Sequence, residues 1–155
     1  MVVIRSPLAL VPGGPVLAAP WRAATPSSAR DSGTDAGAAE VVVSHTVFTH
    51  DRVRDLPAIA RDAERMARVW RRSDGALWLR QWTQPTRRLL GDLTVWRREE
   101  DLRTFVASAE HRVVVTAWRA RMRGPHHTWP VPTEPQADGS VDLDAVWRAA
   151  LALLG

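Results

Sequence analysis

The chain has 155 residues, 45% of them apolar and 25% charged, the make-up of one ordinary globular domain rather than of a disordered or fibrous chain. It has no Cys, which excludes a disulfide framework, a thiolate metal site and a cysteine nucleophile. No apolar run approaches the roughly 20 residues of a membrane span, so a cytoplasmic domain without membrane contact is expected. The sequence pI of about 11.2 goes with a net charge of only +4, from 21 basic and 17 acidic residues. Every basic residue is Arg, and Lys, Asn and Tyr are absent. That joint depletion fits a GC-rich coding bias, and Arg alone holds the pI high. Many arginines also stand among acids, as in Arg61-Asp62-Ala63-Glu64-Arg65, which reads as a solvated helix face and not as a nucleic-acid surface.

Residues 1–39 are rich in Pro, Ala, Gly and Ser. Met1 to Arg5 could form a short strand, but the Pro and Gly residues that follow interrupt regular structure, so a flexible arm dispensable for folding is expected, with Met1 to Ile4 and Trp21 excepted as residues that could dock on a partner subunit or cap a pocket. The broken apolar stretch also argues against a secretory signal. Periodic sequence begins at Glu40. Val41 to Phe48 is β-branched and reads as a strand. A helix follows, with Asp55 as N-cap and Pro57 in the first turn. Its apolar stripe is Leu56, Ile59, Ala60, Ala63, Met66, Ala67 and Trp70, and Glu64 and Arg68 are spaced as an i,i+4 pair. Gly75 ends it.

Ala76 to Thr83 and Leu89 to Trp96 read as a hairpin around Gln84-Pro85-Thr86-Arg87. Glu99 to Met122 is helical, but its stripe changes side: Leu102, Phe105, Val106 and Ala109 first, then His111, Val114, Val115, Trp118 and Met122. A break near Ser108-Ala109 resolves the conflict. His126 to Val131 is a fourth strand, and Asp142 caps a last helix with Leu143, Val146, Trp147, Ala150, Leu151 and Leu154 on one face. The order β-α-β-β-α-β is the ferredoxin-like α+β arrangement. The domains expected are an arm (1–39), a ferredoxin-like domain (40–131) and a linker with an amphipathic helix (132–155).

Trp78, Arg80 and Trp82 alternate on one face of the first hairpin strand, and Asp92, Thr94 and Trp96 share a face of the second. With an odd-numbered loop Arg80 pairs with Asp92 and both rows line one surface, a pocket wall or a subunit interface. With a strict four-residue loop Arg80 would instead face Gly91 among Leu89, Leu93 and Val95, and the first register is preferred because it pairs the charges. Adjacent His126 and His127 point to opposite sheet faces and cannot both bind one metal, and no metal site is expected. His111 lies on an apolar stripe, either as a core residue bonded to backbone or as an acid or base in a pocket. No nucleophile elbow, phosphate-binding loop or dinucleotide fingerprint is present.

The stretch Leu93-Thr94-Val95-Trp96, then Glu100-Asp101-Leu102-Arg103-Thr104-Phe105-Val106 and Ala109-Glu110-His111-Arg112, resembles the antibiotic-biosynthesis-monooxygenase-like dimeric α+β barrel superfamily, in an uncharacterised branch. The likeness spans roughly residues 40–131. It implies ferredoxin-like subunits packed sheet against sheet around pockets, and an activity among cofactor-independent monooxygenases or haem-degrading enzymes.

The expected function is then a monooxygenase-like oxidoreductase acting on a small apolar or aromatic metabolite, without bound metal or flavin. His111 would transfer a proton and Arg80 would stabilise an anionic oxygen, with Trp78, Trp82, Trp96, Asp92 and Thr94 around the substrate. The alternative is a non-catalytic dimeric barrel that binds a small molecule or haem. A homodimer is expected because two helices cover only one face of a four-stranded sheet. The rival cover for the other face is the helix at Asp142 to Leu154.

Overall fold

The computed structural model describes residues 8–25, 40–132 and 141–155. Its strands are β1 (Leu8–Val11), β2 (Gly14–Ala18), β3 (Arg22–Ala23), β4 (Glu40–His50), β5 (Ala76–Gln84), β6 (Leu89–Trp96), β7 (Met122–Arg123) and β8 (His126–Pro132). Its α-helices are α1 (Leu56–Arg71), α2 (Glu99–Ala107), α3 (Ala109–Trp118) and α4 (Leu143–Ala152). All strand pairs are antiparallel. The four long strands lie in the order β8-β4-β6-β5, and both crossovers carry helices, which is the ferredoxin-like topology.

The helices follow the sequence pattern with local differences. Ser108 has extended backbone (φ −61°, ψ 150°) and separates α2 from α3. Its hydroxyl accepts from the His111 backbone N–H, so one residue stops the first helix and caps the second. Gly75, at φ 73°, makes the turn after α1 in a region that disfavours any side chain. Asp55 precedes α1 without a side-chain capping bond, because a 3₁₀ turn at Val53–Asp55 already carries the chain in. Its carboxylate lies 3.8 Å from Arg121 instead. Glu64 pairs with Arg22 at 2.8 Å. Asp142 caps α4 as expected, accepting from Ala145 N–H at 2.9 Å.

Two expectations are corrected. The first is the loose arm. Within its described part, β2 and β3 both extend the sheet along β5, with Ala18 opposite Trp82 and Arg22 opposite Leu79. Val16 is fully buried. Pro and Gly interrupt helices, but they suit this segment of short strands at a sheet edge joined by a tight Gly13-Gly14 turn. The strand proposed at Met1 to Arg5 lies outside the described residues.

The second correction concerns the hairpin register. Gln84 pairs with Leu89 across a turn that Arg88 closes in the left-handed region (φ 54°), and Arg80 faces Leu93 rather than Asp92. Packing selects this register. The Trp82 indole lies on Gly91 so closely that a Cβ there would come within 2.7 Å of the ring. The row of Trp78, Arg80 and Trp82 therefore occupies one sheet face, while Asp92, Thr94 and Trp96 occupy the other.

Each face has its own cover. On the face of Asp92, Thr94 and Trp96, Ala67, Trp70 and Leu102 from α1 and α2 pack on Leu79 and Trp96. On the face of Trp78, Arg80 and Trp82, Val146 and Ala150 of α4 pack on Val41, Val43, Leu93 and Val95, and Leu154 joins Val16, Val47 and Trp82. Fully burying a large apolar side chain contributes about 1.5–3 kcal/mol. The last helix thus covers the face that had suggested a dimer, and the argument from an exposed Trp78 and Trp82 no longer holds. Among the described residues, no helix is long and apolar enough to cross a membrane.

Candidate functional site between the sheet and α2

The register assembles a polar row across four strands on the face under α1 to α3. Gln81 of β5 lies beside Asp92 of β6, Asp92 beside Thr46 of β4, and Thr46 beside His126 of β8. The next row is Leu79, Thr94, Ser44 and Thr128. A half-covered sheet face ordinarily turns apolar side chains toward its helices. Here the apolar cluster holds one end of the face and hydroxyl, imidazole and carboxyl groups hold the rest.

From Asp92 through Thr46 to His126 the row is hydrogen-bonded from side chain to side chain, while Gln81 donates to the Ala63 carbonyl of α1 at 3.4 Å. Thr46 Oγ1 lies 3.2 Å from His126 Nδ1, and His126 Nε2 lies 3.0 Å from Thr128 Oγ1. The Thr46 hydroxyl also bonds the half-buried Asp92 carboxyl. Burial pushes that carboxyl up to about 6, against the opposing effect of the Thr46 bond. Burial also lowers the His126 imidazole, and neighbouring His127 lowers it further.

An open cavity of about 330 Å³ adjoins this row. Leu102, Val106 and Ala107 of α2 form an apolar wall, and His126 and Thr128 form the wall opposite. Glu99 and Arg103, paired at 2.7 Å, also line it. The cavity can therefore take a small, largely apolar molecule and present one of its atoms to an imidazole.

The anticipated site residues are divided between locations. Asp92, Thr94, Trp96 and His111 are on the helix side. Trp96 is fully enclosed, edge-on to Trp70 and 5.2 Å from Phe105, and its indole N–H donates to Thr94 Oγ1 at 2.8 Å. It is core and not a substrate wall. The His111 ring, half-buried, stacks edge-on against Phe105 at 5.2 Å. Burial lowers it, a bond to the Val106 backbone opposes that, and His126 lowers it further.

Trp78, Arg80 and Trp82 are across the sheet, under α4. The Arg80 guanidinium lies between Trp147 (4.7 Å) and Trp21 (5.3 Å), and its Nε donates to the Ala19 carbonyl at 2.9 Å. Arg80 thus fastens the N-terminal segment and α4 to the sheet and does not share a site with His111. As expected, His126 and His127 face opposite sides, since their β4 partners Thr46 and His45 do. Thr46, His126 and Thr128 were not among the anticipated residues. The alternation Ser44-x-Thr46 and His126-x-Thr128 was visible in the sequence, but only the strand order makes it one constellation. Among the described residues, no group of three or more His, Asp or Glu is gathered to hold a metal.

No protein-family model and no curated protein matches the chain. Solved structures do. SnoaB, a cofactor-independent oxygenase from Streptomyces nogalater, superposes with a TM-score of 0.51 at 19% identity, covering 63% of this chain and 97% of its own. A conserved protein from Methanosarcina mazei superposes with a TM-score of 0.52 at 7% identity, covering 63% and 96%. A candidate antibiotic biosynthesis monooxygenase from Nitrosomonas europaea gives 0.51 at 9% identity, covering 62% and 92%. At these identities the likeness is one of fold: the chain has the ferredoxin-like α+β fold found in antibiotic-biosynthesis-monooxygenase-like proteins.

Proposed function

We infer that the chain is a monooxygenase-like enzyme that acts on a small apolar or aromatic metabolite without a bound metal or flavin, in the cytoplasm. The observation that carries this reading is the cavity beside α2, apolar on one side and bearing the hydrogen-bonded His126 and Thr128 on the other. The fold likeness to a cofactor-independent oxygenase supports it.

The chemistry asks little of the protein. A methylene activated by flanking aromatic rings loses a proton to a neutral imidazole, and the resulting carbanion is electron-rich enough to reduce dioxygen. One oxygen atom remains as the product carbonyl, and the other leaves as water with the two methylene hydrogens. Both His126 and His111 are held below the ordinary imidazole range and are therefore neutral bases at pH 7. A homodimer would pair through a surface other than the one under α4, which light scattering at micromolar concentration reads. The function is tested by oxygen uptake with an anthrone-type substrate. Turnover by the purified chain that falls at least tenfold in His126→Gln is expected, and no uptake above the buffer rate refutes the reading.

A further inference from the structure

We propose that His126 is the proton acceptor of the cavity, that Asp92 acts through Thr46 as the positioning residue that sets its tautomer, and that the ligand is a molecule with an acidic hydroxyl, a phenol or enol. The proposal rests on the cavity being the substrate site and does not depend on oxidation following.

An ionised carboxyl can only accept hydrogen bonds, and a threonine hydroxyl has a single proton to give. Thr46 stands between Asp92 and His126 and bonds to both. Its proton therefore goes to Asp92, and it can only accept from His126. Nδ1 of His126 must then carry the ring hydrogen, and Nε2 must carry a lone pair. The Thr128 hydroxyl, 3.0 Å away, donates to that lone pair. The base is thus aimed by the carboxyl two strands away, on a residue that lines the cavity.

When a ligand hydroxyl enters, its O–H bond breaks and the proton passes to Nε2. The Thr128 hydroxyl, released from Nε2, turns to donate to the new oxyanion. No oxidant or other reactant is needed for this step. The charged and titratable groups around His126 are His127 on its own strand, His45 on the neighbouring β4, Asp92 beyond Thr46 on β6, His111 on α3 and the Glu99 and Arg103 pair on α2.

The same balance of donors and acceptors predicts reversal. An Asn at position 92 donates from its amide, so Thr46 would give its proton to Nδ1 and the ring hydrogen would move to Nε2. Acid does the same, since protonated Asp92 becomes a donor on passing below about pH 6.

The test is nitrogen-15 NMR of the histidine rings in the full chain at pH 7.5, with 4-nitrophenol as the ligand probe because its colour reports ionisation. His126 is expected to carry its hydrogen on Nδ1 in the natural chain and in Thr46→Ser. It is expected to move to Nε2 in Asp92→Asn and Thr46→Val. Bound 4-nitrophenol is expected to be at least fivefold more ionised than the free compound at pH 6.5. That gain should be lost in His126→Gln, reduced in Thr46→Val and restored in Thr46→Ser. An Nε2 hydrogen in the natural chain, a tautomer indifferent to position 46, or a probe equally ionised with His126→Gln each overturns the proposal. Failure of oxygen uptake alone, with these signatures in place, refutes oxidation and leaves the proton-accepting site standing.

Discussion

Lowering the pH from 6.5 to 4 should withdraw about 3 kcal/mol of stability through one residue, His45. The ring is fully buried in the middle of the sheet face under α4, 5.6 Å from the Trp82 ring and 6.4 Å from that of Trp129. Among the described residues neither ring nitrogen has a hydrogen-bond partner. Burial is the main cause that lowers it to about 4 from 6.5, and His127 and His126 add to it. Because the folded value is the lower one, the unfolded chain takes up the proton first. The His45 contribution is therefore complete above pH 6.5 and is lost as the pH falls toward 4. A shift of that size corresponds to about 3 kcal/mol at 1.36 kcal/mol per pKa unit, a large share of the 5–15 kcal/mol typical of a domain. His45→Leu removes the titration and the two unpartnered nitrogens, each of which costs about 1–3 kcal/mol when buried. The variant should match or exceed the natural chain in urea at pH 7.5, and its advantage should widen by about 3 kcal/mol at pH 4. An advantage that stays constant between those pH values refutes the reasoning, since the other histidines are common to both chains.

Asp92 has the opposite sign. Its folded value of about 6 lies above the ordinary carboxyl value of 3.8, so its contribution is fully present below pH 3.8 and is lost as the pH rises through 6. Asp92→Asn should accordingly gain up to about 3 kcal/mol over the natural chain in urea between pH 4 and pH 8. Arg80→Gln should lose about 2 kcal/mol in urea, from two cation–π contacts and the bond to Ala19. Removal of residues 1–39 should lower the calorimetric melting temperature and blunt cooperative unfolding, because Val16 and Ala18 leave the core and β5 loses its neighbour. An unchanged transition would restore the reading of that segment as an attached arm.

Elements with a strong period were legible in the sequence. The stripe from Ile59 to Trp70 and the change of side at Ser108 could be read directly, because each is a local property of one helix. The N-terminal strands were not legible. β2 and β3 are five and two residues long, and what stabilises them is β5, some 60 residues away. The hairpin register depended on where Trp82 could lie, and the decisive fact was the bare Cα of Gly91. That single offset also governed the site. It separated Arg80 from Asp92 by the thickness of the sheet and put Asp92 in line with Thr46 and His126, a grouping that no spacing along one strand announces.

The clasp at Arg80 bears on how the chain is made. During synthesis Trp21 and Arg80 emerge long before Trp147, and the sheet can pair while α4 is still unbuilt. Until α4 has left the ribosome, Val43, Leu93 and Val95 lack the helix that covers them. At ~5–20 residues per second, the stretch from β6 to the end of α4 takes several seconds. For that interval the nascent chain presents a broad apolar face, and a chaperone or a neighbouring nascent copy could occupy the place that α4 later takes.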